Sequence, residues 1–336
     1  MHRAVTGIVV GGLLLIGCQL GPVSAPGAVA SPSPSPSPEL VTTAEATAAF
    51  EAYLTTGGLA GYDLEGGALR TADDAARRKE QASPKPATTS TPDRVNKVLV
   101  PHQSSYPAHF LATETFNLQA GDDKGKSLTE LWIFTKQNTD VGWLATYQVT
   151  FSAGVSAPEF DLDKDGFLQA VPPDQLSKYS IDGQTLSAHF AQFANDTIGG
   201  AATISFDAEL APSADLSSLL ADRRKSKVDI TAKHLVDTVT WKDEGTVEPV
   251  YRLKDGRAFM SFVNTENDIL SANPGGKVSI GGGKGDGITY PKDGLYSQVE
   301  YLRMAMVSGF VSPAGSDAKT ELAAYYYRLY KMTPTA

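Results

Sequence analysis

Apolar residues near the start of the folded part follow the spacing of a helix surface. Phe50, Tyr53 and Leu54 fall at positions i, i+3 and i+4, which places them on one helix face. Residues 42–45 (TTAE) form a capping-box pattern, in which a Thr side chain and a Glu three residues later satisfy the first backbone donors. This pattern predicts a helix that begins within residues 42–45 and ends at Gly57-Gly58. A second helix is predicted over residues 71–80.

After these helices, the spacing of apolar residues changes from the period of a helix to the alternation of a strand. β-branched and aromatic residues dominate four segments that are separated by turn-forming residues, which predicts strands over residues 97–100, 109–116, 128–136 and 141–151. In the last of these strands, the more apolar of the two faces carries Trp143, Ala145, Tyr147 and Val149. Helices followed by an antiparallel meander predict an α+β layer in which the helices cover one face of the sheet.

The second half repeats this order of elements. Leu186, Phe190 and Phe193 form a helical stripe, and Ser213 is placed to cap a second helix over residues 213–225. The hairpin signal Asp255-Gly256 joins two of the predicted strands, which cover residues 228–242, 250–254, 257–264, 298–306 and 321–332. The prediction is an α+β protein with two helix-then-antiparallel-sheet domains at residues 41–160 and 178–336, joined by a connector at residues 161–177.

The N-terminal segment predicts where the protein works. Residues 5–16 are an uncharged apolar run behind Arg3, which is typical of a secretory signal and too short to span a bilayer. The sequence Leu15-Ile16-Gly17-Cys18 resembles the bacterial lipobox. This resemblance implies a signal peptide over residues 1–17, cleavage between Gly17 and Cys18, and a diacylglycerol on Cys18. An ordinary cleaved signal with a chance cysteine is the alternative.

Composition supports an anchored protein whose folded part stands away from the membrane. Residues 18–40 are rich in Ser and Pro, and the alternating run at 31–38 favours an extended linker of about 25 Å. The net charge of −9 argues against nucleic-acid binding and against attraction to anionic lipid. The lipid on Cys18 is therefore expected to hold the protein at the extracytoplasmic face of the cell membrane. The chain has a single cysteine, so it forms no internal disulfide.

These features together resemble a family of bacterial lipoproteins and secreted proteins with tandem cystatin-like domains of the nuclear-transport-factor type. The resemblance rests on the lipobox, on residues 100–110 (VPHQSSYPAHF), on the strand around Trp143 and on the hairpin at residues 255–259. It covers residues 41–332 and implies curved sheets wrapped on helices. The domain of this family has no assigned function.

One segment has the spacing of a calcium-binding loop. Asp161, Asp163 and Asp165 occupy positions 1, 3 and 5, and a glycine follows at position 6. Position 12 is Pro172 instead of the Glu that binds calcium with both oxygens. Two interpretations stay open: a weak calcium site, or an acidic connector exposed to solvent.

No segment carries a catalytic motif. The glycine-rich run at 281–287 lacks the Ser or Thr that a phosphate loop needs after Lys284. The histidines lack metal-ligand spacing, which favours structural roles for His102, His109, His189 and His234. An enzyme or small-ligand binder stays open as an alternative if an open cone in the first domain brings together Tyr53, Asp63, Tyr106 and His109. A solute-capture lipoprotein is disfavoured because the predicted strands are antiparallel.

The densest aromatic run lies near the C-terminus. Alternation places Tyr325, Tyr327 and Leu329 on one strand face, and Tyr326, Arg328 and Tyr330 on the other. If the second face is exposed to solvent, it has the composition of a protein interface; a strand packed on both faces is the alternative. The sequence therefore predicts a non-catalytic binding or interaction module of the cell envelope, with no cofactor beyond calcium.

Overall fold

One large sheet runs through the computed structural model, which describes residues 39–56, 94–118, 121, 123–280 and 294–336. The strands in these ranges are β1 Val95–Leu99, β2 Ala108–Asn117, β3 Ser127–Lys136, β4 Leu144–Phe151, β5 Leu210–Pro212, β6 Leu235–Arg252, β7 Ala258–Ala272, β8 Val278–Ile280, β9 Gly294–Tyr296, β10 Gln298–Val311 and β11 Thr320–Thr335. The helices are α1 Thr43–Thr56, α2 Gly183–Gly199 and α3 Ala214–Ala232, with a short 3₁₀ helix at Pro173–Lys178.

The predicted division into two separate helix-then-sheet domains of the cystatin-like type is wrong. The main sheet has the order β1-β2-β3-β4-β11-β10-β7-β6, with β5 added parallel to β11, and β8 and β9 form a separate hairpin. The two meanders join because β4 and β11 pair at Phe151 with Ala324 and at Thr150 with Tyr325. Residues 39–336 accordingly form one compact unit.

The central strands of this sheet are buried on both faces. In β7 every residue from Ala258 to Glu266 is buried, and in β10 every residue from Met304 to Val311 is buried. Because side chains alternate along a strand, neighbouring residues belong to two different clusters. One cluster contains Phe259, Val263, Met304 and Met306, and the other contains Met260, Phe262, Ala305 and Val307.

The first of these clusters lies between the two halves of the sheet. It joins Ile133 and Tyr147 of the β1–β4 meander to Val263 and Met306. The hydroxyl groups of Tyr147 and Ser308 are hydrogen-bonded at 2.9 Å, and both residues are fully buried. The meander therefore folds back over β7 and β10 and covers one of their faces.

Helix α1 covers the outer face of the β1–β4 meander. The Thr42 half of the predicted capping box is confirmed, since Thr42 Oγ1 accepts the backbone N–H of Glu45 at 3.1 Å, whereas Glu45 Oε1 accepts from Lys136 Nζ and Trp143 Nε1, both at 3.1 Å. The Phe50 ring packs at 5.3 Å from Trp132 and 5.8 Å from Phe134, measured between ring centroids.

Helices α2 and α3 cover the other face of β6, β7, β10 and β11, which is called the helix-covered face below. Phe190 of α2 packs against Trp241 and Phe262 at centroid distances of 5.7 and 5.6 Å. The predicted cap of α3 is confirmed, because Ser213 Oγ accepts the N–H of Leu216 at 3.3 Å. The helix continues to residue 232, so the strand predicted from residue 228 begins only at Leu235.

The segment predicted as a connector is bonded to both halves of the sheet. The N–H of Leu168 donates to the carbonyl of Val100 at 2.9 Å, and the N–H of Val171 donates to the carbonyl of Val250 at 2.8 Å. Several predicted features lie outside the described residues: the signal peptide at 1–17, Cys18, most of the 18–40 linker, the helix at 71–80 and the run at 281–287.

Replacing Tyr147 with Phe is expected to lower the free energy of unfolding by about 1 kcal/mol, because it removes a buried hydrogen bond and leaves the apolar ring in place. Chemical denaturation of the two proteins measures the difference. The half-buried Tyr179 lies outside this cluster, so Tyr179→Phe is the control and should stay within about 0.5 kcal/mol of the parent. Equal stability of Tyr147→Phe and the parent would contradict a stabilising hydrogen bond between Tyr147 and Ser308.

Candidate functional site

A group of charged side chains is buried on the helix-covered face. Glu266 and Asp268 of β7 point to the same side because they are two residues apart. The register of the sheet places Arg303 of β10 opposite Glu266. We call these residues, together with Arg223 of α3 and Tyr327 of β11, the polar network.

Every charge in the polar network is bonded to a charge of opposite sign. Arg223 donates through Nε to Glu266 Oε1 at 3.0 Å and through Nη2 to Asp268 Oδ2 at 2.8 Å. Arg303 Nη1 donates to the same two oxygens at 2.9 and 2.7 Å. Tyr327 donates its hydroxyl to Glu266 Oε2 at 2.7 Å. Such complete pairing is what a buried charge needs, since an ion removed from water costs several kcal/mol when it has no partner.

The electrostatics of the network follow from this pairing. Burial opposes the charge on Arg223, but the negative charge of Glu266 outweighs it, so the pKa of Arg223 is raised. Burial raises the pKa of the Tyr327 hydroxyl, and the neighbouring Glu266 carboxylate raises it further. Tyr327 therefore remains a neutral hydrogen-bond donor, and the guanidinium groups remain charged.

Asp237 of β6 lies at the edge of the polar network and differs from its other carboxyl groups. The residue is only 6% exposed, and burial together with the neighbouring Asp268 raises the pKa of Asp237 to about 7. Neither Asp237 oxygen has a hydrogen-bond donor among the described residues, and the same holds for Asp268 Oδ1. Burial and the neighbouring Asp268 carboxyl therefore both favour the protonated form of Asp237 by raising its pKa.

The network separates two apolar clusters on the same face. On one side lies the cluster beneath α2 and the first half of α3, which includes Leu216 and Leu220. On the other side, the β8–β9 hairpin buries Val278 and Ile280 against Val299. The network bonds α3 to the sheet, and its carboxylates are enclosed instead of lining an exposed surface.

Sequence analysis did not identify this site. Glu266, Asp268 and Arg303 stand at alternate positions of strands, where charged residues usually face solvent. A detectable signal was the segment at residues 258–263 (AFMSFV), in which Ser261 is the single polar residue and both alternating sets are largely apolar, as is typical of a strand covered on both faces. A charge that follows such a run on the same strand needs a buried partner.

The residues proposed for a cone-shaped cavity are not brought together. Tyr53 packs edge-on against Phe134 on the α1 side of the meander, at 5.2 Å between centroids. His109 pairs in register with Thr135, the neighbour of Phe134, so it lies on the opposite face. Its Nδ1 is 3.0 Å from Thr135 Oγ1, and burial lowers the pKa of His109 to about 4. Tyr106 is half-buried against the apolar cluster, and Asp63 lies outside the described residues.

The C-terminal aromatic run alternates as predicted. Tyr325 and Tyr327 pack on the helix-covered face. Tyr326 faces the other way, half-buried against the cluster between the sheet halves, and Arg328 is also half-buried. The side chain of Tyr330 lies outside the described part of the structure. An interface formed by Tyr326, Arg328 and Tyr330 stays a prediction.

The loop with calcium spacing is closed by its own hydrogen bonds. Asp163 Oδ1 accepts the N–H groups of Asp165 and Phe167, both at 2.9 Å, and Oδ2 lies 2.7 Å from His102 Nε2. In the described ranges, no group of three or more His, Cys, Asp or Glu residues is arranged to hold a metal ion. Calcium binding by Asp161, Asp163 and Asp165 stays a prediction, and it would require Asp163 to release these partners.

His102 joins this loop to the residue at which the described structure begins. Its Nδ1 lies 2.6 Å from Glu39 Oε1 and its Nε2 lies 2.7 Å from Asp163 Oδ2. The ring stacks on Phe167 at 3.9 Å between centroids. The hydrogen bond that His102 donates to Glu39, reinforced by the one to Asp163, raises the pKa of His102. A protonated His102 therefore ties the start of the folded part to the loop.

Replacing His102 with Asn is expected to destabilise the protein at acidic pH more than at alkaline pH. The pKa of His102 is higher in the folded than in the unfolded chain. Its contribution is therefore fully present below about pH 6.5 and is lost as the pH rises through the folded-state pKa. Melting temperatures of both proteins between pH 5.5 and about 9 measure the difference.

The matched control for this series is His234→Asn. His234 is exposed and has a positive φ of 60°, a conformation that Asn tolerates. A difference between parent and His102→Asn that stays constant with pH would rule out a charged clamp at His102.

No helix within the described residues is long and apolar enough to cross a membrane. Comparison with known proteins agrees with the lipobox resemblance in that a similar protein is a lipoprotein. The chain is 26% identical over 251 residues to an uncharacterized lipoprotein of Streptomyces coelicolor, and the match covers 70% of each chain.

The same comparisons give no support to the tandem cystatin-like part of the resemblance. No solved structure matches the chain. A family described as "Domain of unknown function (DUF8094)" matches residues 38–333. Because this match covers nearly all of the folded part, the chain belongs to the DUF8094 family.

Proposed function

We propose that this protein is a lipoprotein held at the extracytoplasmic face of the cell membrane by acyl chains on Cys18. The observation that carries the proposal is the sequence Leu15-Ile16-Gly17-Cys18 at the end of the apolar N-terminal run. The similarity to an uncharacterized lipoprotein over 70% of the chain supports it. Two acyl chains are sufficient for stable anchoring, whereas one gives only marginal binding.

The folded part is proposed to act as a non-catalytic binding or interaction module of the cell envelope. The polar network supports this role, because its carboxylate and guanidinium groups are bonded to one another instead of being presented to a substrate. Burial lowers the pKa of His109 to about 4, so this histidine is uncharged at neutral pH, and its Nδ1 is hydrogen-bonded to Thr135 Oγ1. The Ser/Pro composition of residues 18–40 favours an extended linker, which supports a role at a distance from the membrane with a partner protein of the envelope.

Replacing Cys18 with Ala is expected to abolish acylation and the cleavage before residue 18, because the lipid attaches to the cysteine sulfur. Metabolic labelling with a radioactive fatty acid and the intact mass of the purified chain are the measurements. The parent should carry the label and begin at Cys18, whereas Cys18→Ala should be unlabelled and retain residues 1–17.

The control variant Ser24→Ala changes a linker residue and should behave as the parent. Protease added to intact cells should remove the folded part of the parent if it lies outside the membrane. A Cys18→Ala chain that still carries the fatty-acid label, or a parent that carries none, would exclude this anchor.

A further inference from the structure

Asp237 and Asp268 are a pair of buried carboxyl groups, and no other side chain donates a hydrogen bond to their facing oxygens among the described residues. In the register of β6 and β7, Asp237 pairs with Leu270 and Asp268 pairs with Val239, so the two carboxyl groups are diagonal neighbours on the same face. In the described residues, three of their four oxygens, both of Asp237 and Oδ1 of Asp268, have no donor. Two carboxylates in contact away from water repel each other, so the pair is stable only when one member carries a proton.

The charged groups around the pair leave Asp237 without a hydrogen-bond donor. Three carboxyl groups meet here, from Asp237, Glu266 and Asp268, and the two guanidinium groups of Arg223 and Arg303 bond only to Glu266 and Asp268. The remaining groups that face the pair are Lys227 of α3, which is half-buried and supplies a third positive charge, and the hydroxyls of Tyr301 and Tyr327. A proton on Asp237 supplies the missing donor to Asp268.

The element that covers this pair is weakly packed. In α3 the buried residues are Leu216 and Leu220, both in the N-terminal half. From residue 224 to residue 232, every α3 residue is exposed or only partly buried. Arg223, which is bonded to Glu266 and Asp268, therefore links this half of the helix to the sheet. The β8–β9 hairpin, by contrast, contributes the buried residues Val278 and Ile280 to its own cluster.

We propose that the C-terminal half of α3 is a proton-controlled strap over the polar network. It stays on the sheet while Asp237 and Asp268 share one proton, and it loosens when that proton is released to solvent. The proton is the transferred group, and water outside the strap accepts it. Segments held by few buried contacts are the ones that open locally without global unfolding.

The direction of the pH effect follows from the two states of Asp237. Attraction to Arg223 and Lys227 favours the ionised form, but burial and Asp268 outweigh it and raise the pKa of Asp237 to about 7 in the closed state. With the strap open, Asp237 is solvated and its pKa returns to about 3.9. The open fraction therefore rises about tenfold for each pH unit between about pH 4 and 7, and levels off above pH 7.

Hydrogen exchange of the full-length chain in detergent micelles tests the strap. Amide exchange is measured for residues 224–232 at several pH values between about 5 and 8. The variant Asp237→Asn keeps the shape of a protonated carboxyl and cannot ionise, so it removes the pH response. The parent should open about tenfold more for each pH unit from 5 to 7, relative to Asp237→Asn. Comparison with this variant at each pH cancels the base catalysis of exchange itself.

A control variant and a second helix distinguish local opening of α3 from global unfolding. Asp222→Asn alters an exposed carboxyl of the same helix and should respond to pH as the parent does. Helix α2 is held by buried Leu186 and Phe190, and its exchange should not follow the pH course of α3. The proposal is overturned if Asp237→Asn keeps the pH response, or if α2 and α3 open together, which would indicate global unfolding.

A direct titration keeps the proposal testable if Asp237→Asn fails to fold. The carboxyl carbon of Asp237 in the parent, observed by carbon-13 nuclear magnetic resonance, should titrate near pH 7. Titration near pH 4, the ordinary range of an exposed aspartate, would show that the pair holds no proton at neutral pH.

Discussion

The burial of β7 and β10 on both faces is the constraint on which the rest of the structure depends. A strand in the middle of a sheet exposes two apolar faces unless both are covered. Here the β1–β4 meander covers one face and the helices α2 and α3 cover the other. The β4–β11 pairing joins the meander to the central strands at its edge. The two halves of the chain are therefore one cooperative sheet, and neither half has a complete core without the other.

The polar network is buried because α3 covers β7 beyond the apolar part of that strand. After the apolar run of β7, the same face continues with Glu266 and Asp268 under α3. Two arginines, one from the helix and one from β10, compensate these charges. Removing one partner would leave a buried charge uncompensated, which typically costs about 3 to 5 kcal/mol. The network thus bonds α3 to the sheet, and the proton that we propose on Asp237 would make this attachment depend on pH.

Local elements could be predicted from the sequence because their signals are local. The start of α1 at the Thr42 cap, the cap of α3 at Ser213 and the alternation of Tyr325 and Tyr327 follow from neighbouring residues. Strand pairing across the two halves could not be predicted, because alternation shows which side chains share a face but not which strands are neighbours. The two-domain prediction failed at this step.

The candidate site was missed for a related reason. Arg223 and Glu266 are 43 residues apart in the chain, and their pairing depends on where α3 crosses the sheet. The end of α3 was misjudged because its last residues include β-branched Val228 and Ile230, which favour strands. The helix continues there to Ala232 and covers the network despite that preference.

The most direct test of the single cooperative sheet is an unfolding experiment with one tryptophan as reporter. The chain has three tryptophans, so replacing Trp132 and Trp143 with Phe leaves Trp241 under α2, far along the chain from α1. In that background, Phe50→Ala removes the ring that α1 packs on the β1–β4 meander and should destabilise the chain by about 3 to 5 kcal/mol. The account predicts that the fluorescence midpoint of Trp241 falls by as much as the midpoint measured by circular dichroism. An unchanged Trp241 midpoint would show two independently folding halves and contradict the account.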